Sequence, residues 1–127
     1  MKKLFLTITL LICFSSFGQT AKEYSNKGVD KFLSGDYSGS IIEYNKAIEI
    51  NPNNSDIYYN RGASKSKLKD YKGAIIDYTK AIEINPNNTK VYYNRGFLKV
   101  KLKDNYGAIS DLTKAIEMVL VVIGKRQ

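Results

Sequence analysis

Histidine and tryptophan are absent from this 127-residue chain, and cysteine occurs once, at Cys13. Without histidine the side chain that most often moves protons near neutral pH is missing. One cysteine rules out a disulfide framework and a cysteine-built metal site. Proline occurs twice, at Pro52 and Pro86, each inside Asn-Pro-Asn-Asn. No glycine-rich phosphate loop is present; Gly35, Gly39, Gly73 and Gly107 sit singly beside expected helix starts. The acidic residues show no calcium-loop spacing. No catalytic residue, metal or cofactor is therefore expected, and the chain reads as a non-enzyme. Glu43, Asp77 and Asp111, like Glu49, Glu83 and Glu117, recur on successive helices, where solvated rows and ion pairs with nearby lysines are expected.

What is present is repetition. Lys46-Ala47-Ile48-Glu49-Ile50-Asn51-Pro52-Asn53-Asn54 returns 34 residues later as Lys80-Ala81-Ile82-Glu83-Ile84-Asn85-Pro86-Asn87-Asn88, and starts again at Lys114-Ala115-Ile116-Glu117. Tyr58-Tyr59-Asn60-Arg61-Gly62 returns as Tyr92-Tyr93-Asn94-Arg95-Gly96. A fixed period means one supersecondary unit copied along the chain, each copy burying its apolar face against the next. Within a unit, Ala74, Ile75, Tyr78, Ala81 and Ile82 form one stripe of a helix. Glycine inside a helix costs about 1 kcal/mol relative to alanine, so Gly28, Gly62 and Gly96 at equivalent places imply close helix packing. Asn-Pro-Asn-Asn ends a helix, and Ser55 and Thr89, or the asparagine before each, can cap the next one. Six helices are predicted: 21–34, 38–51, 55–68, 72–85, 89–102 and 106–122.

With units at 21–54, 55–88 and 89–122, an aromatic stands at the fourth position (Tyr24, Tyr58, Tyr92) and Gly at the eighth. Small residues stand at the twentieth (Ser40, Ala74, Ala108), Tyr or Leu at the twenty-fourth (Tyr44, Tyr78, Leu112), Ala at the twenty-seventh (Ala47, Ala81, Ala115) and Pro at the thirty-second. This pattern resembles the tetratricopeptide repeat (TPR), and covers the chain beyond about residue 20. The resemblance implies an all-α, right-handed superhelical solenoid whose first helices line a concave face. It departs from the family at the seventh position (Lys27, Arg61, Arg95) and the eleventh (Lys31, Lys65, Lys99), where long stems are expected to cover apolar surface while their charges reach water.

The amino-terminal residues have another pattern. Lys2-Lys3, the apolar run Leu4–Phe14 and the small residues Ser16 and Gly18 read as a signal peptide over 1–18, cleaved before Gln19. The run is shorter than the roughly 20 residues of a membrane span, so no stable span is expected, and residues 19–127 form the repeat domain. Exported protein, periplasmic or secreted, is the expectation. The formal charge of +8 falls to +6 without Lys2 and Lys3. Lys65, Lys67, Lys69 and Lys72, with Lys99, Lys101 and Lys103, read first as a solvated face and second as an attraction for acidic peptides. Nucleic acid is not expected as a partner.

The resemblance places the partner-binding groove at Tyr59, Lys67, Lys90, Tyr93, Phe97, Val100 and Lys101, with Asn60 and Asn94 at its margin. Some family members grip a peptide's terminal carboxylate; Asn60 and Lys90 match two of those places, but Ser25, Val29 and Asn94 depart from the others, so that clamp is not expected. The chain is read as a protein- or peptide-binding module. The rival is a self-associating piece, or a fragment of a longer array, because Met118–Ile123 replaces the terminal Asn-Pro and invites a homodimer contact.

Overall fold

The computed structural model describes residues 20–126, so the expected signal peptide at 1–18 lies outside the described residues. Within them the chain is helical, with no strand. Helix α1 covers 20–33. It is followed by α2 (Tyr37–Ile50), α3 (Ser55–Lys67), α4 (Tyr71–Ile84), α5 (Thr89–Lys101) and α6 (Asn105–Gly124). Each helix packs on the next in sequence, from α2 through α6, which makes a helical repeat solenoid. The observed bounds differ from the predicted ones by a residue or so, except that α6 runs to Gly124 rather than 122.

The turns explain those bounds. Lys69 donates its N–H to Ser66 and Asp70 donates to Lys65; Lys103 and Asp104 repeat the pair with Val100 and Lys99. This is the Schellman closure of a helix, which needs a left-handed residue. Gly35 supplies it in the first repeat (φ 84°), but Lys69 and Lys103 hold φ 63° there as non-glycine residues. The aspartate that follows is already the next N-cap: Asp36, Asp70 and Asp104 accept from the N–H of Gly39, Gly73 and Gly107. The repeat-to-repeat connections end with asparagine caps, Asn54 on Asp56 and Asn88 on Lys90. Ser55, freed from capping, donates to the Ala81 carbonyl at 2.9 Å and ties α3 to α4.

The core follows the small-residue positions. A Cβ on Gly62 would stand 2.8 Å from the Tyr78 ring, and one on Gly28 would collide with Tyr44, so the two helices of a repeat touch through a glycine. Tyr44, Ala47, Ala74, Tyr78, Ala81, Val91 and Leu98 are all buried. Burial pushes the Tyr44 hydroxyl up to about 12. The twentieth position of one repeat shares its cluster with the tenth of the next. Ala74 lies with Leu98, whereas Ser40 donates to Ser64 across the earlier interface at 2.7 Å.

The expectation that Glu43, Asp77 and Asp111 stand in solvated rows is wrong: all three are buried. Arg61 grips Asp77 with Nε at 2.9 Å and Nη2 at 2.7 Å, and Lys65 adds Nζ at 3.0 Å. Arg95 and Lys99 hold Asp111 in the same way, at 2.8, 2.6 and 2.9 Å. The charges at the seventh and eleventh positions of repeats 2 and 3 thus point inward, not to water. The physical reason is mutual: a fork-shaped donor and an ammonium satisfy one carboxylate, so all three can leave solvent together. The remaining Arg Nη1 reaches the preceding repeat, Arg61 to Asn45 and Arg95 to Thr79. Burial raises the Asp111 pKa, but the hydrogen bonds and charges of Arg95 and Lys99 outweigh it and hold the carboxyl below its ordinary value. In repeat 1 the set is broken up: Lys31 pairs with Asp36 and Glu43 with Lys46.

Candidate functional site

Helices α3 and α5 lie side by side, with the same face of each repeat presented in register. Tyr59 leaves α3 and packs its ring against Tyr78, centroids 5.7 Å apart. Its hydroxyl accepts from Asn94 Nδ2 on α5 at 3.0 Å. Tyr59 is therefore half-buried and serves the interface as much as the surface. Tyr93, one repeat later, has no such cover and is 56% exposed. Phe97 and Val100 follow it along α5, each 49% exposed. Lys101 Nζ sits 5.3 Å from the Phe97 ring centre, a cation–π contact at the surface.

Two depressions flank this row. The smaller, about 170 Å³, is bounded by Ala63, Ser66 and Lys67 of α3 and by Asn94 and Phe97 of α5, with Tyr78 beneath. The larger, about 610 Å³, lies where α5 meets α6, and is lined by Tyr59, Thr89, Lys90, Tyr93 and Asn94 together with Leu112, Ala115, Ile116, Val119 and Leu120. Asn94 belongs to both. Of the expected groove residues, the structure brings together Lys67, Asn94 and Phe97 around the first depression and Tyr59, Lys90, Tyr93 and Asn94 around the second. Asn60 lines neither; it is half-buried and its carbonyl accepts from Ser64 within α3. Val100 and Lys101 lie further along the same exposed row.

The lysines divide into two groups. Lys65 and Lys99 are spent inside the carboxylate clusters, whereas Lys67, Lys69, Lys72, Lys90, Lys101 and Lys103 are exposed. The face beside Tyr93 and Phe97 is accordingly apolar and cationic together. Sequence reading missed the α6 wall of the larger depression, because Val119 and Leu120 stand where Asn85 and Pro86 of repeat 2 stop a helix; the lost Asn-Pro was the available signal. Among the described residues no cluster of His, Cys, Asp or Glu could hold a metal ion. No helix among them is long and apolar enough to cross a membrane.

Comparison with known proteins agrees with this architecture. Models of the tetratricopeptide repeat match residues 55–88 and 77–117, and one described as TPR repeat matches 30–69. Solved structures are similar over most of the chain. The first TPR domain of Spaghetti (RPAP3), bound to the HSP90 peptide SRMEEVD, is 29% identical, with 79% of each chain covered and a TM-score of 0.76. The TPR2B domain of yeast Sti1 in its pHsp70 complex is 27% identical over 84% of this chain and 85% of that one, TM-score 0.78. The Arabidopsis OM64 TPR domain is 27% identical over 79% and 83%, TM-score 0.76. No curated protein matches the sequence significantly.

Proposed function

We propose that this chain, which belongs to the tetratricopeptide-repeat family, is a non-catalytic module that binds a protein or peptide along the α3–α5 face. The observation that carries this is the row Tyr93, Phe97, Val100 and Lys101. Large aromatic and aliphatic side chains stand half-exposed along α5, with Lys67 and Lys90 beside them. Water-exposed aromatics next to a depression supply the anchors that dominate interface energies. Exposed lysines add reach and attract acidic segments, mainly through the association rate.

The matched domains of Spaghetti and yeast Sti1 are in complex with an HSP90 peptide and with pHsp70, which supports peptide binding as the mode. The identity of the partner differs on this reading. Ser25 and Val29 offer no ammonium or amide at the places a carboxylate clamp requires, and Asn94 is bonded to Tyr59. The ligand is thus an internal acidic segment rather than a chaperone tail. The pattern at residues 1–18 supports export, so the partner belongs to the periplasm or the cell exterior. Self-association through Met118–Ile123 is a second proposal, favoured by the exposure of Val119 through Ile123.

The experiment is a titration of a partner segment captured from envelope extract against wild type and Lys101→Glu at two salt concentrations. Slower association of Lys101→Glu at low salt, with the difference from wild type lost as salt screens the charge, is the expected result. An unchanged rate at low salt would remove the lysines from the site.

A further inference from the structure

The larger depression has the form of a helix berth that none of the described residues fills. Shifting its α6 wall back one repeat turns Leu112, Ala115 and Ile116 into Tyr78, Ala81 and Ile82, and that surface is covered by α5 through Val91 and Leu98. The counterparts at the end of the array stay open. Ile75 and Ile82 pack against the core, whereas Ile109 and Ile116 are 64% and 60% exposed. In the earlier repeats a helix stops at Ile50 or Ile84, and Asn-Pro turns the chain so that the following helix drops into the berth. Here α6 runs straight on to Gly124. The chain's own turn into the berth is thereby lost, and Val119 and Leu120 extend the berth wall instead.

The same extension leaves a surplus. From Met118 to Gly124 the helix bears no charge, and Leu120, Val121, Val122 and Ile123 are between 51% and 60% exposed. Among the described residues, one apolar helix end has no berth and one berth has no helix. We propose that the berth between α5 and α6 takes the carboxy-terminal half of α6 from a second copy of this chain, in a closed two-fold pair. The proposal deepens the self-association reading above, and rests on it.

Two arguments single out this occupant. A head-to-tail stack would instead seat α1 of the next copy in the berth. The places that Val91 and Leu98 use in α5 are Glu23 and Asp30 in α1, and both are exposed. Seating α1 would strip water from two carboxylates against the apolar wall of Leu112, Ala115 and Ile116, which is strongly unfavourable. A two-fold arrangement uses the same patch on both copies and closes without growing. The area is also adequate. If about six aliphatic side chains per copy each cover on the order of 80 Å², the pair buries roughly 1,000 Å² in total, at the lower bound of a specific interface. Tyr93 and Lys90 border the berth, so the second copy and the ligand compete for that end of the face, while Ala63, Lys67 and Phe97 stay open to the ligand in the pair.

The test uses the full chain in a Cys13→Ser background. Sedimentation equilibrium from about 1 to 300 µM should show a monomer–dimer equilibrium, and Leu120→Lys should weaken it at least tenfold. Leu120 is mostly exposed, so unchanged helicity is expected for that variant. In the second arm, Tyr93→Cys and Val122→Cys chains are purified separately, mixed and oxidised. A disulfide-linked pair of one chain of each kind is expected, and Asn26→Cys in place of Tyr93→Cys should give none. A strict monomer throughout the range, an unaffected Leu120→Lys dimer, or preferential Asn26–Val122 linkage would each overturn the proposal. None of these outcomes touches ligand binding at Lys67 and Phe97, which is read separately by titration at those residues.

Discussion

Asp111→Ala removes the single acceptor that two cations share. Arg95 reaches it with two donors and Lys99 with a third, at 2.6–2.9 Å, and the side chains are only 15%, 19% and 5% exposed for Arg95, Lys99 and Asp111. Breaking a buried pair from one side leaves uncompensated charge and typically costs 3–5 kcal/mol. Here the cations keep some solvent, so about 3 kcal/mol is the expected loss. For a domain near 100 residues each kcal/mol moves the midpoint by about 4–8 °C, so roughly 12 °C or more should be lost. Thermal and urea unfolding followed by circular dichroism give the number. Replacing all three at once, Arg95→Met, Lys99→Met and Asp111→Leu, should cost far less, since an apolar set of similar volume needs no partners. The pH dependence has a definite sign. The Asp111 pKa is lowered on folding from an ordinary value of 3.8. Its contribution is therefore complete above about pH 4–5, and disappears as pH falls through the lowered folded value. The stability gap between wild type and Asp111→Asn should stay level from pH 5 to 8 and narrow in acid. A loss under about 1 kcal/mol for Asp111→Ala, or a gap that widens in acid, would show that the cluster is solvated.

Three further outcomes follow from single positions. Gly62→Ala should destabilise by about 1–3 kcal/mol because the new methyl meets the buried Tyr78 ring. Gly96→Ala should be near neutral, since its neighbour Leu112 borders an open depression and helix propensity gains about 1 kcal/mol; parallel urea curves compare them. Lys69→Gly should stabilise by about 0.5–1 kcal/mol, because φ 63° strains a side chain and Gly35 already fills that place in repeat 1; a lower midpoint would refute the strain. The intact mass of the exported protein should correspond to a chain beginning at Gln19, and a product that keeps Met1 would remove the signal peptide.

The period of 34 made the six helices legible, because it sets apolar stripes, small crossing residues and Asn-Pro stops at fixed offsets. The inward-facing charges were not legible one residue at a time. Arg, Lys and Asp are surface residues by default, and only the joint recurrence of Arg61, Lys65 and Asp77 as Arg95, Lys99 and Asp111 marks them as a unit. Tyr59 and Tyr93 look identical in sequence. Their exposures differ because Tyr59 has the Tyr78 ring beside it and Asn94 above its hydroxyl, whereas the place of Tyr78 is taken by Leu112 next to Tyr93, and none of the described residues covers it as Asn94 covers Tyr59. Asp36, Asp70 and Asp104 recur at the sixteenth position of each repeat, but their capping role emerged only with the backbone N–H of Gly39, Gly73 and Gly107.

The most direct test of the central claim is the affinity of a captured partner segment, by fluorescence anisotropy, for wild type, Tyr93→Ala, Phe97→Ala and Lys80→Glu. Tyr93 and Phe97 are half-exposed, so helicity should persist in both variants. Each should weaken binding by about 1–3 kcal/mol, roughly tenfold or more, while Lys80→Glu, on α4, should leave it unchanged. Full affinity in the Tyr93 and Phe97 variants, with binding abolished by Lys80→Glu, would contradict the assignment of the α3–α5 face.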